Sequence, residues 1–98
     1  MSLENLTTKV KELAASKGGS IGSKIKFQFD EGIIYLDDTA SPAIVSNEDL
    51  NADCVVRVSI SNFEKLMSGD MNPTGAFMMG KLKIDGDMSV AMKLSALF

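Results

Sequence analysis

The chain has 98 residues, 45% apolar and 23% charged, a balance that supports a packed core and argues against disorder. Its net charge is −3, with nine acids against six bases over residues 1–60 and four of each over 61–98, which excludes the basic footprint that duplex nucleic acid requires. Histidine is absent and Cys54 is the sole cysteine, so an internal disulfide and a zinc-type nitrogen-and-sulfur site are both excluded.

A chain of this length is expected to form a single domain over residues 1–98, burying roughly two thirds of its unfolded surface. The opening MSLENLTTKVKEL scatters charge among its apolar positions, which fits neither a secretory leader nor a membrane anchor and predicts a cytoplasmic protein. On that expectation the glycosylation sequon Asn5-Leu6-Thr7 is a chance match. Leu3, Leu6, Val10, Leu13 and Ala14 recur at helical spacing before Gly18-Gly19, predicting a one-faced helix. GGSIG then reads as a flexible linker.

Ile25, Phe27 and Phe29 alternate with Lys24, Lys26, Gln28 and Asp30, the pattern of a half-buried strand. Asp30-Glu31-Gly32 is turn chemistry, and Ile33 to Leu36 resumes the strand, predicting a hairpin. Ala43 to Ser46 is a shorter strand candidate after Ser41-Pro42. Cys54, Val56, Val58 and Ile60 alternate in a fourth strand rich in β-branched residues. Ser61-Asn62-Phe63-Glu64 has the capping-box form, and the helix it predicts ends at Gly69. Asn72-Pro73 opens a short helix from Pro73 to Met79. Lys81 to Asp85 reads as a fifth strand, and Asp87 caps a last helix predicted over Met88 to Phe98.

This order points to an α+β fold with the helices gathered on one face of the sheet. The opposite face is expected to be wet and to carry Lys24, Lys26, Gln28, Arg57, Lys81 and Lys83. Asp37-Asp38 reads as a solvated turn, since adjacent strand residues point to opposite faces and a loop follows. Cys54, inside an apolar strand, reads as a small hydrophobe. Without histidine no nucleophile stands beside a base, and neither GxGxxG nor P-loop spacing is present, so neither an enzyme nor a bound cofactor is expected.

The last helix is apolar around most of its circumference, with Val90, Ala91, Leu94, Leu97 and Phe98 on one arc and Met88, Met92 and Ala96 extending it. Six of the seven methionines lie between Met67 and Met92. Such soft side chains suit either gap-filling in a core or a wall that accepts apolar partners of varied shape. Composition and spacing leave both open, and a partner subunit or a membrane surface could equally supply the second contact.

The stretch ADCVVRVSISNFEKLMSGDMNPTGAFMMGKLKIDGDMSVAMKL, Ala52 to Leu94, resembles the sterol carrier protein type 2 family of non-specific lipid-transfer proteins. The resemblance rests on an alternating strand, a capped helix, a Pro-led helix with Ala76-Phe77, then Gly80-Lys81-Leu82-Lys83-Ile84, Gly86-Asp87 and Ala91-Met92-Lys93-Leu94. It implies a five-stranded, mostly antiparallel sheet covered on one face by helices, with an apolar tunnel for acyl chains, fatty acyl-CoA, sterols or phospholipids. Binding rather than catalysis is implied. Carried over by segment, Phe77, Met78, Met88, Val90, Ala91, Met92 and Leu94 would flank the tunnel. Phe63, Leu66 and Met67 would extend the wall, and Phe27 and Phe29 would form the floor.

The lipid is therefore the expected partner, with transient membrane contact and a homodimer as further ones. A scaffold role beside a lipid or isoprenoid-quinone enzyme is the alternative. Eukaryotic members often end in a Ser-Lys-Leu-type peroxisomal signal, whereas this chain ends Ser95-Ala96-Leu97-Phe98, so a cytoplasmic, prokaryotic-type member is expected.

Overall fold

The protein is described by a computed structural model over residues 2–19, 21–40 and 42–93. Helix α1 (Leu3–Lys17) starts where the Ser2 hydroxyl accepts the Asn5 amide proton at 3.2 Å, and it buries Leu6, Val10 and Ala14 along one stripe. Strands β1 (Lys24–Phe29) and β2 (Gly32–Asp37) form the expected hairpin across Asp30-Glu31. Strand β3 (Ile44–Ser46) adds to the outside of β2. The chain then crosses the sheet, and β4 (Cys54–Val58) pairs with the other side of β1. Helices α2 (Ile60–Ser68) and α3 (Pro73–Met78) follow, then β5 (Leu82–Gly86) beside β4 and α4 (Met88–Met92).

The sheet order is β3-β2-β1-β4-β5. Three of its neighbouring pairs are antiparallel, while β1 and β4, on either side of that crossover, run parallel. Alternation does the rest: Ile25, Phe27, Phe29, Ile34, Leu36, Cys54, Val56, Val58 and Leu82 are buried beneath the helices. Helix α1 packs on β2, β3 and α2, whereas α3 and α4 pack on the β4–β5 end. At the centre, Phe63 of α2 stands with its ring centroid 4.9 Å from that of Phe27 and 5.3 Å from that of Phe29, the latter edge-on. Tilted aromatic pairs of this kind add about 0.5–1.5 kcal/mol beyond the area they bury.

Three local expectations are corrected. Ile60 is not the end of β4 but the first residue of α2, because the Ser59 hydroxyl accepts the Asn62 amide proton at 3.1 Å and caps the helix two residues before the Ser61 box. Ile60 keeps its buried place across the change of structure, which is why the alternation ran on through it.

The second correction concerns Asp38, which is buried rather than solvated. Its carboxylate accepts the amide protons of Gly19, Ile21 and Gly22, each at 2.8 Å, so the glycine-rich stretch is anchored by a side chain 16 to 19 residues away. Ile21 is buried as well. Burial alone would raise the Asp38 pKa, but the amide donors from Gly19, Gly22 and Ile21 outweigh it and hold the carboxyl below its ordinary value.

The third correction is the outer sheet face. Lys24, Gln28, Arg57, Lys81 and Lys83 are exposed there as expected, but the β3–β4 crossover covers its middle. Lys26 Nζ donates to Asp49 at 2.5 Å, and the hydroxyl of buried Tyr35 donates to the Asn51 carbonyl at 2.9 Å.

The predicted last helix is described as far as Met92, and its Leu94–Phe98 portion lies outside the described residues.

Candidate functional site

The β5 end is built from short elements held by caps. Asn72 Oδ1 accepts the amide protons of Thr74 at 2.9 Å and Gly75 at 3.3 Å, and Pro73 occupies the first helical position, where its missing N–H is not needed. Buried Ala76 pins α3 to the body. Gly80, at φ 73°, reverses the chain, and the Lys81 amide donates to the Ala76 carbonyl at 2.8 Å, folding the entry to β5 back against α3.

Strand β5 presents Leu82 and Ile84 to the helix side, opposite Val58 and Val56 of β4. At its end, Gly86 has φ 104°, and a Cβ there would sit 2.6 Å from the Asp53 carbonyl oxygen. The Asp87 amide donates to that same carbonyl at 2.9 Å. Asp87 then caps α4: its Oδ1 accepts the Ser89 hydroxyl at 2.6 Å and amide at 2.9 Å, bonds that hold its carboxyl below the ordinary value. Val90 and Ala91 face the core.

Between α3, β5 and α4 these elements leave a groove of about 280 Å³, open along one side. It is lined by Pro73, Thr74, Phe77, Met78, Leu82, Ile84, Met88, Ala91 and Met92. Thr74 alone among them has a polar side chain, so the groove holds neither a charge nor a nucleophile with a base.

Phe77, Met78, Met88, Ala91 and Met92, all expected at the site, come together in this groove. Val90 lies beside it in the core. Phe27, Phe29, Phe63 and Leu66 sit instead in the closed core, and Met67 lines a separate furrow between α1 and α2. Leu94 lies outside the described residues. Pro73, Thr74, Leu82 and Ile84 were not expected at the site. The strand pattern held a signal for two of them, because Leu82 and Ile84 alternate with lysines and so face the helices.

The furrow between α1 and α2 is larger, about 530 Å³, but it mixes Lys9 and Lys65 with Glu12, Glu64 and Asp70. With both signs of charge along it and few apolar residues, it suits neither an apolar chain nor a single-sign ligand. Cys54 is fully buried in β4, and its thiol pKa is raised by burial first and then by Asp87, Asp85 and Asp53, so it is poorly reactive. Among the described residues, no group of three acidic or cysteine side chains could hold a metal ion, and no helix is long and apolar enough to cross a membrane.

Residues 3–98 match the model of the SCP-2 sterol transfer family. Over 55 residues the chain is 49% identical to sterol carrier protein 2 of Homo sapiens, covering 56% of this chain and 10% of that protein. The matched segment thus spans about a tenth of the length of such curated relatives.

The solved structures that share its fold include two of nearly the same length. Palmitated SCP2L2 from Aedes aegypti superposes with a TM-score of 0.73 at 18% identity, covering 97% of this chain and 92% of that one. The ubiquinone synthesis protein UbiJ-SCP2 also gives 0.73, at 19% identity, covering 96% of this chain and 93% of that one. With its family model matched from residue 3 to residue 98, and with the same sheet and helix layers, the chain belongs to the SCP-2 sterol transfer family.

Proposed function

We propose that this chain is a non-catalytic lipid carrier that shields one apolar chain in the groove between α3, β5 and α4. The observation that carries this reading is the lining itself: an open groove with eight apolar residues and Thr74, on a fold whose family is described by sterol transfer. A methylene takes up about the room of a liquid water, ~30 Å³, so about nine fit in this volume. At about 0.8 kcal/mol each they gain roughly 7 kcal/mol before ordering. Association and immobilisation remove several kcal/mol of that, which predicts affinity weaker than micromolar for the chain alone.

The methionines suit this task because an unbranched thioether adapts to ligands of different outline. A polar head such as a carboxylate or coenzyme A stays in water at the open side. Palmitate, named for the mosquito relative, is a ligand of the matching class. The test is native mass spectrometry of gently purified protein, followed by titration of delipidated protein with palmitate and palmitoyl-CoA. Saturable binding at one site per chain is expected; no co-purifying lipid and no saturable binding would overturn the reading.

A second reading, an accessory or scaffold module, is favoured by the likeness to the ubiquinone synthesis protein, of which this chain covers 93%. Light scattering during the same titration separates the two. A constitutive dimer that takes up no lipid supports the scaffold.

A further inference from the structure

The outer face of the sheet, away from the helices, carries a hollow of its own where β1, β4 and β5 run side by side. It is open, about 390 Å³, and its lining includes Gln28, Arg57, Ser59, Gly80, Lys81 and Lys83. Gln28, Arg57 and Lys83 form one row across the three strands, Gln28 partnered with Arg57 and Arg57 with Lys83. Lys81 lies two residues before Lys83 and lines the same hollow. Three cations thus gather on a chain whose net charge is −3.

That row departs from ordinary sheet pairing. Like charges directly opposite on neighbouring strands are destabilising, yet Arg57 stands opposite Lys83. Asp85, 3.4 Å from Arg57, relieves part of this, and Asp30 is the one carboxylate in the lining. With both acids counted, a positive excess remains. Local conflicts that the fold does not need collect where a protein binds something, and what this row lacks is an anion. The planar fork of Arg57 and an ammonium group one strand spacing away, about 5 Å, suit several phosphate oxygens better than a single carboxylate. The Ser59 hydroxyl, whose oxygen accepts the Asn62 amide proton, still has its own proton to donate.

The position of the hollow narrows the ligand. Leu82 lines both it and the apolar groove on the helix side, and β5 stands at the edge of the described sheet. A chain held in the groove therefore has a cationic surface one strand's width from its head. We propose that Arg57, Lys81 and Lys83 receive the phosphate groups of a phosphorylated head whose chain occupies the groove, the diphosphate of an acyl-coenzyme A being the best match. The inference rests on the carrier reading for the chain and on the outer face alone for the phosphates.

The experiment is titration of delipidated protein with palmitate and with palmitoyl-CoA at low salt. Palmitoyl-CoA should bind about tenfold more tightly, with the advantage shrinking as salt rises, because exposed charges are screened. Lys83→Glu exchanges an exposed attraction for a repulsion and should weaken palmitoyl-CoA about tenfold while leaving palmitate unchanged. The same substitution should raise the thermal midpoint of ligand-free protein by about 1–4 °C, since it turns a like-charge pair into an opposite one, so lost binding would not reflect lost folding. Lys11→Glu, at an exposed position on α1, alters net charge equally and should do neither.

Palmitate and palmitoyl-CoA binding alike, or Lys83→Glu and Lys11→Glu behaving alike, would overturn the proposal. Palmitoyl lysophosphatidate that binds as tightly as palmitoyl-CoA, and loses as much to Lys83→Glu, would support the site with a phospholipid head as its source. If no chain ligand binds, the carrier reading falls and nuclear magnetic resonance with free coenzyme A decides the rest. Amide shifts confined to Gln28, Arg57, Ser59 and Lys83 would keep the phosphate site without a carrier, and their absence would remove it as well.

Discussion

The two ends of this sheet are covered in opposite ways. Over β1 and β2 lie α1, 15 residues long, and α2, 9 residues long, and between them three phenylalanine rings meet within 5.3 Å. Over β5 lie α3 and the described part of α4, only 6 and 5 residues long, and the space between them is an open groove with three methionines in its wall. Rings with few rotamers specify one packing, whereas thioethers tolerate many. Placing both on one sheet keeps the fold's stability apart from the region that must adapt.

That division predicts that substitutions at the aromatic end change stability and those at the groove's methionines change lipid affinity, with Gly86, at the end of β5, changing both. The largest effect is expected at Phe63, where Phe63→Ala removes the ring on which Phe27 and Phe29 rest. A loss of about 3–5 kcal/mol should appear in denaturant unfolding, and a smaller loss would mean that the rings can collapse together.

Next comes Gly86→Ala, which sets a Cβ 2.6 Å from the Asp53 carbonyl at a left-handed φ. A loss of about 3 kcal/mol is expected, with lipid affinity falling too, because β5 is the floor of the groove. Unfolding and titration of the same preparation would show whether the two move together.

Asp38→Asn should cost about 2 kcal/mol by weakening the amide cradle around Gly19, Ile21 and Gly22, without changing lipid affinity. Its pH signature has a definite sign. The folded pKa lies below the ordinary 3.8, so this carboxylate's contribution is complete above that value and is lost as pH falls through the folded pKa. Acid unfolding followed by circular dichroism should be shallower in that region for the asparagine variant. Smallest in stability, within about 0.5 kcal/mol, should be Met78→Trp and Met92→Trp, because both side chains are mostly exposed. Each indole should nevertheless obstruct the groove and lower palmitate affinity several-fold, and a large stability loss would place these methionines in an ordinary core.

Much of the fold was legible because alternation and helical spacing report burial directly. Every strand but β4, over which the alternation runs two residues too long, and with the capping residues the start of every helix except α2, follow to within a residue or so. Ile60 misled because the first residue of α2 stays on the buried side that strand alternation would also give it. Asp38 and Tyr35 could not be placed from local pattern, since one is buried by a glycine stretch 16 to 19 residues earlier and the other by the loop carrying Asn51.

The site was half legible. Methionine clustering and the family resemblance pointed to α3 and α4, but neither separates groove from core. Phe27, Phe29 and Phe63 have the same inward periodicity as Leu82 and Ile84, and only the lengths of the covering helices decide which of them are sealed.

The parallel pairing of β1 with β4 has a consequence for the order of assembly. The β1–β2 hairpin closes across two residues, a microsecond event, but β4 must return across the whole of β2, β3 and the crossover before it can pair. Contacts that distant in sequence pay their loop-closure entropy late. Among the described residues β5 pairs with β4 alone, so the groove is assembled on a strand that arrives after the hairpin. In that order of assembly the aromatic half has its template before the methionine half does, and the apolar side chains of α3 and α4 are the last to gain their support.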